Sequence, residues 1–556
     1  MILKSVIVSI TERRKGPHSA RFHIKLDTHV QAALPHINVS SNETQSDQKS
    51  SKTYGQITSY ENKPWFIEDK SKRVTQALRF RYWHDEKRFK GTGETSLAQR
   101  ALNTLGGQRM GGNVKSDPVQ GPLGWQRKDD WDILWSPATT AHKAFEGGLR
   151  PGQLCSAVPG TQSICKKRRL SETLVQAYGE KAFDIIPRTY SVPRQVKEWR
   201  EWMLTHCKGG EAQLWMLKTA QHLGKGLKLV PYQSAIKEVL LQFQKADVAR
   251  KSGRAKQVRP FVVAQRYVED PMLINGLKFG IRVWVLITSV NPLRVYMHSG
   301  GLVLFSTDMY SSDISRADGS VAGGHVTNYA QNKDGEVWDM KQLRRYLGDR
   351  DFDVLMNRIL HNTAMTYAAA LEPMRREASK MGRPAAGCSS FELMGLDFLV
   401  DSSLNPWLLE VNSTPSLAVE HSDPEVEGMI YHEKNSMVMD IFKLLRIPER
   451  FSSAVQQSDN ESSSSLSMIN GCEDKEEREA LVAKVSAWLG EQANHEAVYE
   501  IVASELEMRA GTGFVPLMNS ISLAEAEASG WNVTFSQLDL LQERWCQARE
   551  QSLVFP

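Results

Sequence analysis

The chain has 556 residues, of which 41% are hydrophobic and 24% charged, so it can build a real core and is neither collagen-like nor wholly disordered. Lysine and arginine total 69 against 64 acids, a formal charge of +5 that is too slight by itself to argue nucleic-acid binding. No run reaches the ~18–20 apolar residues that span a bilayer; the longest candidate, Val283 to Met297, is broken by Asn291, Pro292 and Arg294.

Length suggests three to five domain-sized units, or one composite core with extensions, at roughly 100–200 residues each. Met1 to Ile10 alternates weakly, as a short strand would. Residues 39–53 are rich in Ser, Asn, Gln and Lys and read as solvated chain. No secretory signal is recognisable at the start. Residues 61–170 are aromatic and basic, with glycine-rich loops at 106–112 and 121–124. The strongest patterning lies in 171–450. Helices are predicted over Pro193 to Leu204, Met340 to Leu347 and Asp353 to Leu371. Strands are predicted over Leu214 to Lys218, Phe261 to Val268, Lys278 to Thr288, Leu396 to Val400 and Trp407 to Asn412. A Ser-rich stretch from Phe451 to Ser467 marks a linker. Beyond it Leu481, Val485 and Trp488, then Val498, Ile501, Val502 and Leu506, recur at helical spacing, closed by Gly511-Thr-Gly513. The six cysteines form no C-x-x-C pair, which reads as reduced thiols of a cytosolic protein without a zinc site or a disulfide framework.

The sharpest chemical feature is Asp397 to Asn412. Two apolar strands flank a turn-rich joint, Asp401-Ser-Ser-Leu-Asn-Pro406. Residues two apart on a strand share a face, so Glu410 and Asn412 point the same way. A hairpin with Asp401 opposite Pro406 sets Asp397 opposite Glu410. Two carboxylates and an amide oxygen then converge on one point, a hard-cation site that suits magnesium with a nucleotide. A hairpin with polar residues facing water is the plainer alternative. Lys278, Gly280 and Arg282 share a strand face, and two cations there want anions such as phosphates. A solvated sheet face fits those residues as well. Lys218 ends a strand before the glycine turn Leu223-Gly-Lys-Gly226, which on its own reads as an ordinary turn. Val262 to Val268 is an apolar strand with a polar exit. The basic run Lys166-Lys-Arg-Arg169 reads by default as a solvated face.

Together these segments resemble the tubulin–tyrosine ligase-like family, most closely its polyglutamylase members. The resemblance runs through AQRYVEDPMLINGLKFGIRVWVLITSVNPLRVY at 264–296, GGLVLFSTDMY at 300–310, HVTNYAQNK at 325–333 and FELMGLDFLVDSSLNPWLLEVNSTPSL at 391–417. It implies an α+β fold of the ATP-grasp type, with nucleotide between two α+β subdomains and a small C-terminal helical appendage. The implied organisation is an extension over 1–60, an N-terminal subdomain over 61–170 and a central ATP-grasp subdomain over 171–260. A C-terminal ATP-grasp subdomain over 261–450, a linker over 451–470 and the appendage over 471–556 complete it.

The implied chemistry is ATP-dependent ligation. ATP phosphorylates a carboxylate of an acidic tubulin tail, and the amino group of glutamate attacks the acyl phosphate. Asp397, Glu410 and Asn412 would hold magnesium. Lys167 and Lys218 would contact phosphates. Gln265, Arg266, Tyr267 and Val268 would frame the adenine beside Lys278, and Thr327 and Asn328 would also line the nucleotide. Arg282 would bind the γ-phosphate or the acyl phosphate, and Glu410 and Arg282 would be the catalytic pair. Tubulin or microtubules are the implied partners, and the cytoplasm, cytoskeleton, cilium or basal body the implied location.

The sequence also departs from the family pattern. Gly280 stands where an acid is usual, Leu304 where an arginine is usual, and the turn at Leu223 is one residue shorter. Those changes keep two alternatives in view: a weakened relative that binds nucleotide and microtubules, and a ligase for glycine or for a non-tubulin acceptor.

Overall fold

The structure, a computed structural model, describes residues 8–14, 20–26, 80–84, 94–110, 131–137, 141–145, 149–150, 152–207, 213–221, 226–254, 258–311, 314, 321–327, 335–381, 389–451, 475–523, 526 and 529–550. These residues form a mixed α/β fold with four sheets.

The strand Leu277–Val290 shows how the chain makes a core and a cleft at once. Phe279, Ile281, Val283, Val285 and Ile287 all enter one apolar core. Trp284 and Leu286, on the other face, enter a second core. The two-residue period puts Lys278, Gly280 and Arg282 on that second face too, and there they line a cleft. A strand covered on both faces reads as nearly continuous apolar sequence, which is why this segment stood out.

The large sheet runs in the order Val337–Asp339, Leu293–Phe305, Leu277–Val290, Glu392–Val400, Pro406–Asn412, with every neighbouring pair antiparallel. Helices Lys167–Tyr178 and Asp349–Ala369 bury Leu170, Leu174, Leu355 and Ile359 against one face. Helix Pro424–Leu444 buries Ile430, Met437 and Ile441 on the other. The small sheet, Thr189–Ser191, Phe261–Arg266, Leu214–Thr219 and Leu227–Pro231, is also antiparallel. Helices Val196–His206 and Tyr232–Lys251 back it around Trp199 and Trp215. A third, parallel sheet orders Ser389–Ser390, Leu154–Cys155, Ile133–Trp135, Phe80–His84 and Gly107–Met110. A hairpin pairs Val8–Arg14 with Ala20–Leu26.

Local chemistry fixes the element ends. Asp339 accepts the Gln342 N–H at 2.7 Å while the Gln342 side chain accepts the Asp339 N–H at 2.8 Å. This reciprocal cap, worth about 1 kcal/mol, starts the helix Met340–Leu347 where the sequence predicts it. Gly348, at φ 81°, ends it. The next helix is Asp349–Ala369 rather than Asp353 to Leu371, because the chain re-enters helix directly after Gly348. Residues 192–195 form a turn, so the helix predicted from Pro193 starts later, at Val196.

The two predicted C-terminal helices are Lys475–Leu489 and His495–Arg509, and Leu481, Val485, Val498, Ile501, Val502 and Leu506 share one core. After Gly513 the strand Phe514–Pro516 joins the large sheet against Tyr296, Met297 and His298. Helix Gln537–Glu550 then returns Leu541 and Trp545 to the helical core. The solvated stretch at 39–53 and all of the linker after Phe451 lie outside the described residues. No helix among the described residues is long and apolar enough to cross a membrane.

Candidate active site

The small and large sheets enclose a cleft whose empty space, open mouth included, is about 1020 Å³. Lys167, Lys218, Gln265, Arg266, Tyr267, Val268, Lys278, Arg282, Thr327, Asp397 and Glu410 all line it. Asn412 adjoins it, donating from Nδ2 to Asp397 at 3.2 Å and to Glu410 at 3.3 Å. Asn328 and the turn at Leu223 lie outside the described residues.

The hairpin reaches the expected carboxylate pair by another route. The sequence sets Asp401 opposite Pro406; the structure instead sets Val400 there and gives Asp401 a bridge to Pro271. Asp401 has left the ladder because its carboxylate organises the turn. It accepts from the Ser403 and Asn405 N–H groups at 3.0 and 2.9 Å and from Trp407 Nε1 at 3.0 Å. An irregularity at Leu409, between the Phe398–Leu408 and Asp397–Glu410 pairs, adds one residue to the second strand. The two shifts cancel, so Asp397 faces Glu410 and Gly395 faces Asn412.

Arg282 is the cross-strand partner of Asp397 on the other side. Its guanidinium chelates that carboxylate, through Nε to Oδ1 and through Nη2 to Oδ2 at 2.7 Å. A charged row, Arg282–Asp397–Glu410, therefore crosses three strands. Glu410 lies 3.6 Å from Lys167 Nζ. Burial pushes Asp397 up, with Arg282 resisting and Glu410 assisting. Burial also works against the Glu410 charge, but Lys167, Asp397, Lys218 and Arg282 outweigh it and hold the carboxyl down. Adjacent acids split in this way when they compete for one environment.

The donor set fits a hard divalent ion: two carboxylates face to face, and an amide whose Oδ1 reaches the same point after a half-turn of its plane. No cluster of three or more His, Cys, Asp or Glu that would hold a metal occurs among the described residues.

Three elements supply the cations Lys167, Lys218, Lys278 and Arg282. Lys167 opens the helix Lys167–Tyr178 and donates to the Gln221 carbonyl at 2.9 Å. Arg168 turns inward as well, to the Val192 carbonyl at 3.3 Å, while Lys166 and Arg169 stay exposed. The basic run is thus only half a solvated face, since successive helical residues point in different directions. Lys218 donates to Gln265 Oε1 at 2.6 Å, and Gln265 in turn donates to Thr189 at 2.9 Å. Lys278 donates to Tyr267 Oη at 2.8 Å and to the His325 carbonyl at 3.2 Å, and its ammonium lies 4.3 Å from the Tyr267 ring centroid. Burial lowers Lys218 to about 8, although Glu410 opposes it. Burial, then repulsion from Lys218, lowers Lys278 to about 7.

Sequence reasoning missed His325, whose Nδ1 meets Tyr267 Oη at 2.8 Å inside the cleft wall. The signal was its neighbour Gly324, where a Cβ would stand 2.2 Å from the Met309 carbonyl oxygen. Only a glycine permits that approach. Gly280 and Leu304, the two unusual residues, prove to be direct cross-strand partners on the cleft face.

Residues 148–443, more than half of the chain, match the tubulin-tyrosine ligase family. The chain belongs to that family. It is 30% identical over 342 residues to human tubulin monoglutamylase TTLL4, a match that covers 57% of this chain and 25% of the relative. It is 26% identical over 337 residues to tubulin polyglutamylase TTLL7 of Xenopus tropicalis, covering 57% and 34%. It is 29% identical over 346 residues to tubulin polyglutamylase ttll-5 of Caenorhabditis elegans, covering 57% and 43%. The matched region spans less than half the length of each of these relatives.

Proposed function

We propose that this chain is an ATP-dependent carboxylate–amine ligase that adds glutamate to acidic tails of tubulin. The observation that carries this reading is the polarity of the cleft. One end has a half-buried carboxylate pair with Lys167 and Arg282 beside it; Lys218 leads from there to Gln265 at the other, where Tyr267 packs with apolar Met216 and Leu227. A nucleotide has the same polarity, an uncharged base and a polyanionic tail. Relatives named as tubulin glutamylases support the acceptor and the amino acid, and an ATP-grasp arrangement and cytoskeletal association follow from the same reading.

In this reading Lys167, Lys218 and Arg282 hold the phosphates, and the strand exit Gln265–Val268 frames the adenine with Lys278 and Thr327 beside it. Asp397, Glu410 and Asn412 would hold magnesium, which when bound offsets negative charge on the phosphates. An acceptor carboxylate oxygen attacks the γ-phosphorus and the bond to ADP breaks. The glutamate nitrogen then attacks the acyl carbon, phosphate leaves and the nitrogen loses a proton. Arg282 stands where charge builds on the transferred group.

The test is incorporation of labelled glutamate into tubulin with ATP and magnesium. Wild type should incorporate label, and Glu410→Gln should lose about a thousandfold, the several kcal/mol expected of a lost ligand. Equal activity in the two proteins would refute the role of the carboxylate pair. A second reading, a nucleotide- and microtubule-binding relative with little transfer, draws on the uncharged Gly280–Leu304 pair. Melting stabilised by ATP without incorporation would select it.

A further inference from the structure

One buried acid lies outside the cleft. Glu392 is 1% exposed and opens the strand Glu392–Val400, five residues before Asp397 and on the opposite face. Its Oε2 accepts from the Val158 N–H at 2.9 Å and from Thr161 Oγ1 at 3.0 Å. Both donors stand more than 200 residues upstream, in the turn that leads to Lys167.

That turn is held on every side. Gly160, at φ 82°, seats it on the helix Leu371–Lys380, where a Cβ would stand 2.5 Å from the Met374 Cα. The Ser163 N–H donates to the Gly160 carbonyl at 3.0 Å. Thr173 Oγ1 donates to the Ser163 carbonyl at 3.0 Å, which ties the turn to the helix Lys167–Tyr178. The short helix Gln162–Cys165 ends where the Cys165 thiol is hydrogen-bonded to Ser413, the residue after Asn412. Glu392 and Ser413 thus grip the turn from the start of one hairpin strand and the end of the other. Just beyond the turn, Lys167 enters the cleft with Nζ 3.6 Å from Glu410.

We infer, on the nucleotide reading above, that Glu392 is a positioning residue for Lys167: by holding the Val158–Thr161 turn it sets where the lysine ammonium meets the phosphates. What the turn needs is an acceptor oxygen at a fixed place. Burial disfavours the charge on Glu392 and pushes its carboxyl up, so a neutral amide oxygen there should serve as well. An apolar side chain would strand the Val158 N–H and the Thr161 hydroxyl and release the turn.

The experiment is titration calorimetry of the full chain with ATP and magnesium, as a double-mutant cycle between Glu392→Leu and Lys167→Met, with urea denaturation of every variant. Glu392→Leu should weaken ATP binding about tenfold, and Glu392→Gln less than about threefold. In the Lys167→Met protein the Glu392→Leu loss should shrink below about threefold, because the residue it positions is gone. A side chain that served only the fold would cost as much with Lys167 as without it. Thr161→Val, which removes one donor of the two, should lose about fivefold and lose that effect in Lys167→Met. Its cycle decides the matter if Glu392→Leu does not fold. Additive losses overturn the inference while leaving the nucleotide reading intact, and so does a Glu392→Gln protein as weak as Glu392→Leu. Failure of wild type to bind ATP overturns the nucleotide reading, and this inference with it.

Discussion

Two clusters of buried charge sit at opposite ends of one strand pair, Leu277–Val290 with Leu293–Phe305, and they are balanced differently. At the turn end, Arg294 is ion-paired with Glu500 and, at 3.1 Å, with Glu507. Glu507 also accepts from Tyr296 Oη at 2.7 Å and Thr288 Oγ1 at 2.9 Å. The arginine meets two acids from the helix His495–Arg509, and Arg450 brings a second positive charge that acts on Glu507, so the charges match. At the cleft end, among the described residues, Lys167, Lys218, Lys278 and Arg282 share the lining with two acids, Asp397 and Glu410. Lys218 and Lys278 rest on uncharged oxygens. The balanced cluster fastens the C-terminal helices to the sheet. The unbalanced one stores unmet positive charge, which a polyanion would complete.

Breaking the balanced cluster should have the largest effect on folding. Arg294→Met strands two carboxylates in a place where the arginine side chain is only 8% exposed. A broken buried pair costs about 3–5 kcal/mol. Urea denaturation should show the midpoint falling by that energy divided by the slope, with the slope itself unchanged. A loss under about 1 kcal/mol would mean that the acids reach water, and the contrast between the clusters would disappear.

The cleft should respond in the opposite sense. Lys218→Met removes a cation that no acid neutralises directly, so the free protein should be as stable as wild type or slightly more so. Nucleotide affinity should fall by about 2 kcal/mol, some thirtyfold, the worth of a hydrogen bond to a charged group. Thermal melting with and without ATP and magnesium measures both quantities. A joint loss of stability and affinity would make Lys218 a structural residue like Arg294.

The two ends were unequally legible in sequence. The cleft announced itself because its chemistry sits on regular strands. A two-residue period places Lys278 with Arg282 and Glu410 with Asn412 whatever the rest of the chain does. The register of Asp397 against Glu410 was legible only by cancellation: neither the turn built by Asp401 nor the irregularity at Leu409 follows from hydrophobic pattern. His325 was hidden because its partner Tyr267 is 58 residues away and no period links them. The same limit hid the Arg294 cluster. Its acids lie more than 200 residues downstream, on a helix recognised only by its apolar stripe. The strand Phe514–Pro516, at three residues, is too short to carry a period at all. What sequence showed was the face each residue occupies; which distant faces meet was decided by tertiary packing.

The smallest expected effect separates the clusters most cleanly, because stability and affinity should move in opposite directions with pH. Burial holds Lys218 near 8 and Lys278 near 7 in the folded protein. In the unfolded chain a lysine titrates near ~10.4. Between about pH 7 and 10 the unfolded chain therefore binds more protons, and these two groups make the free protein gain stability as pH rises. Phosphate oxygens favour the charged ammonium, so nucleotide binding should draw protons onto both lysines. Affinity should then fall severalfold for each pH unit above about 8, with net proton uptake on binding. Calorimetry at pH 8.5 in two buffers of different ionisation enthalpy counts those protons directly. Uptake of one or more protons is the expected result in wild type, and Lys218→Met should lower the count. Proton release, or a count of zero, would mean that both lysines are already charged in the free cleft, and the unmet positive charge there would need another partner.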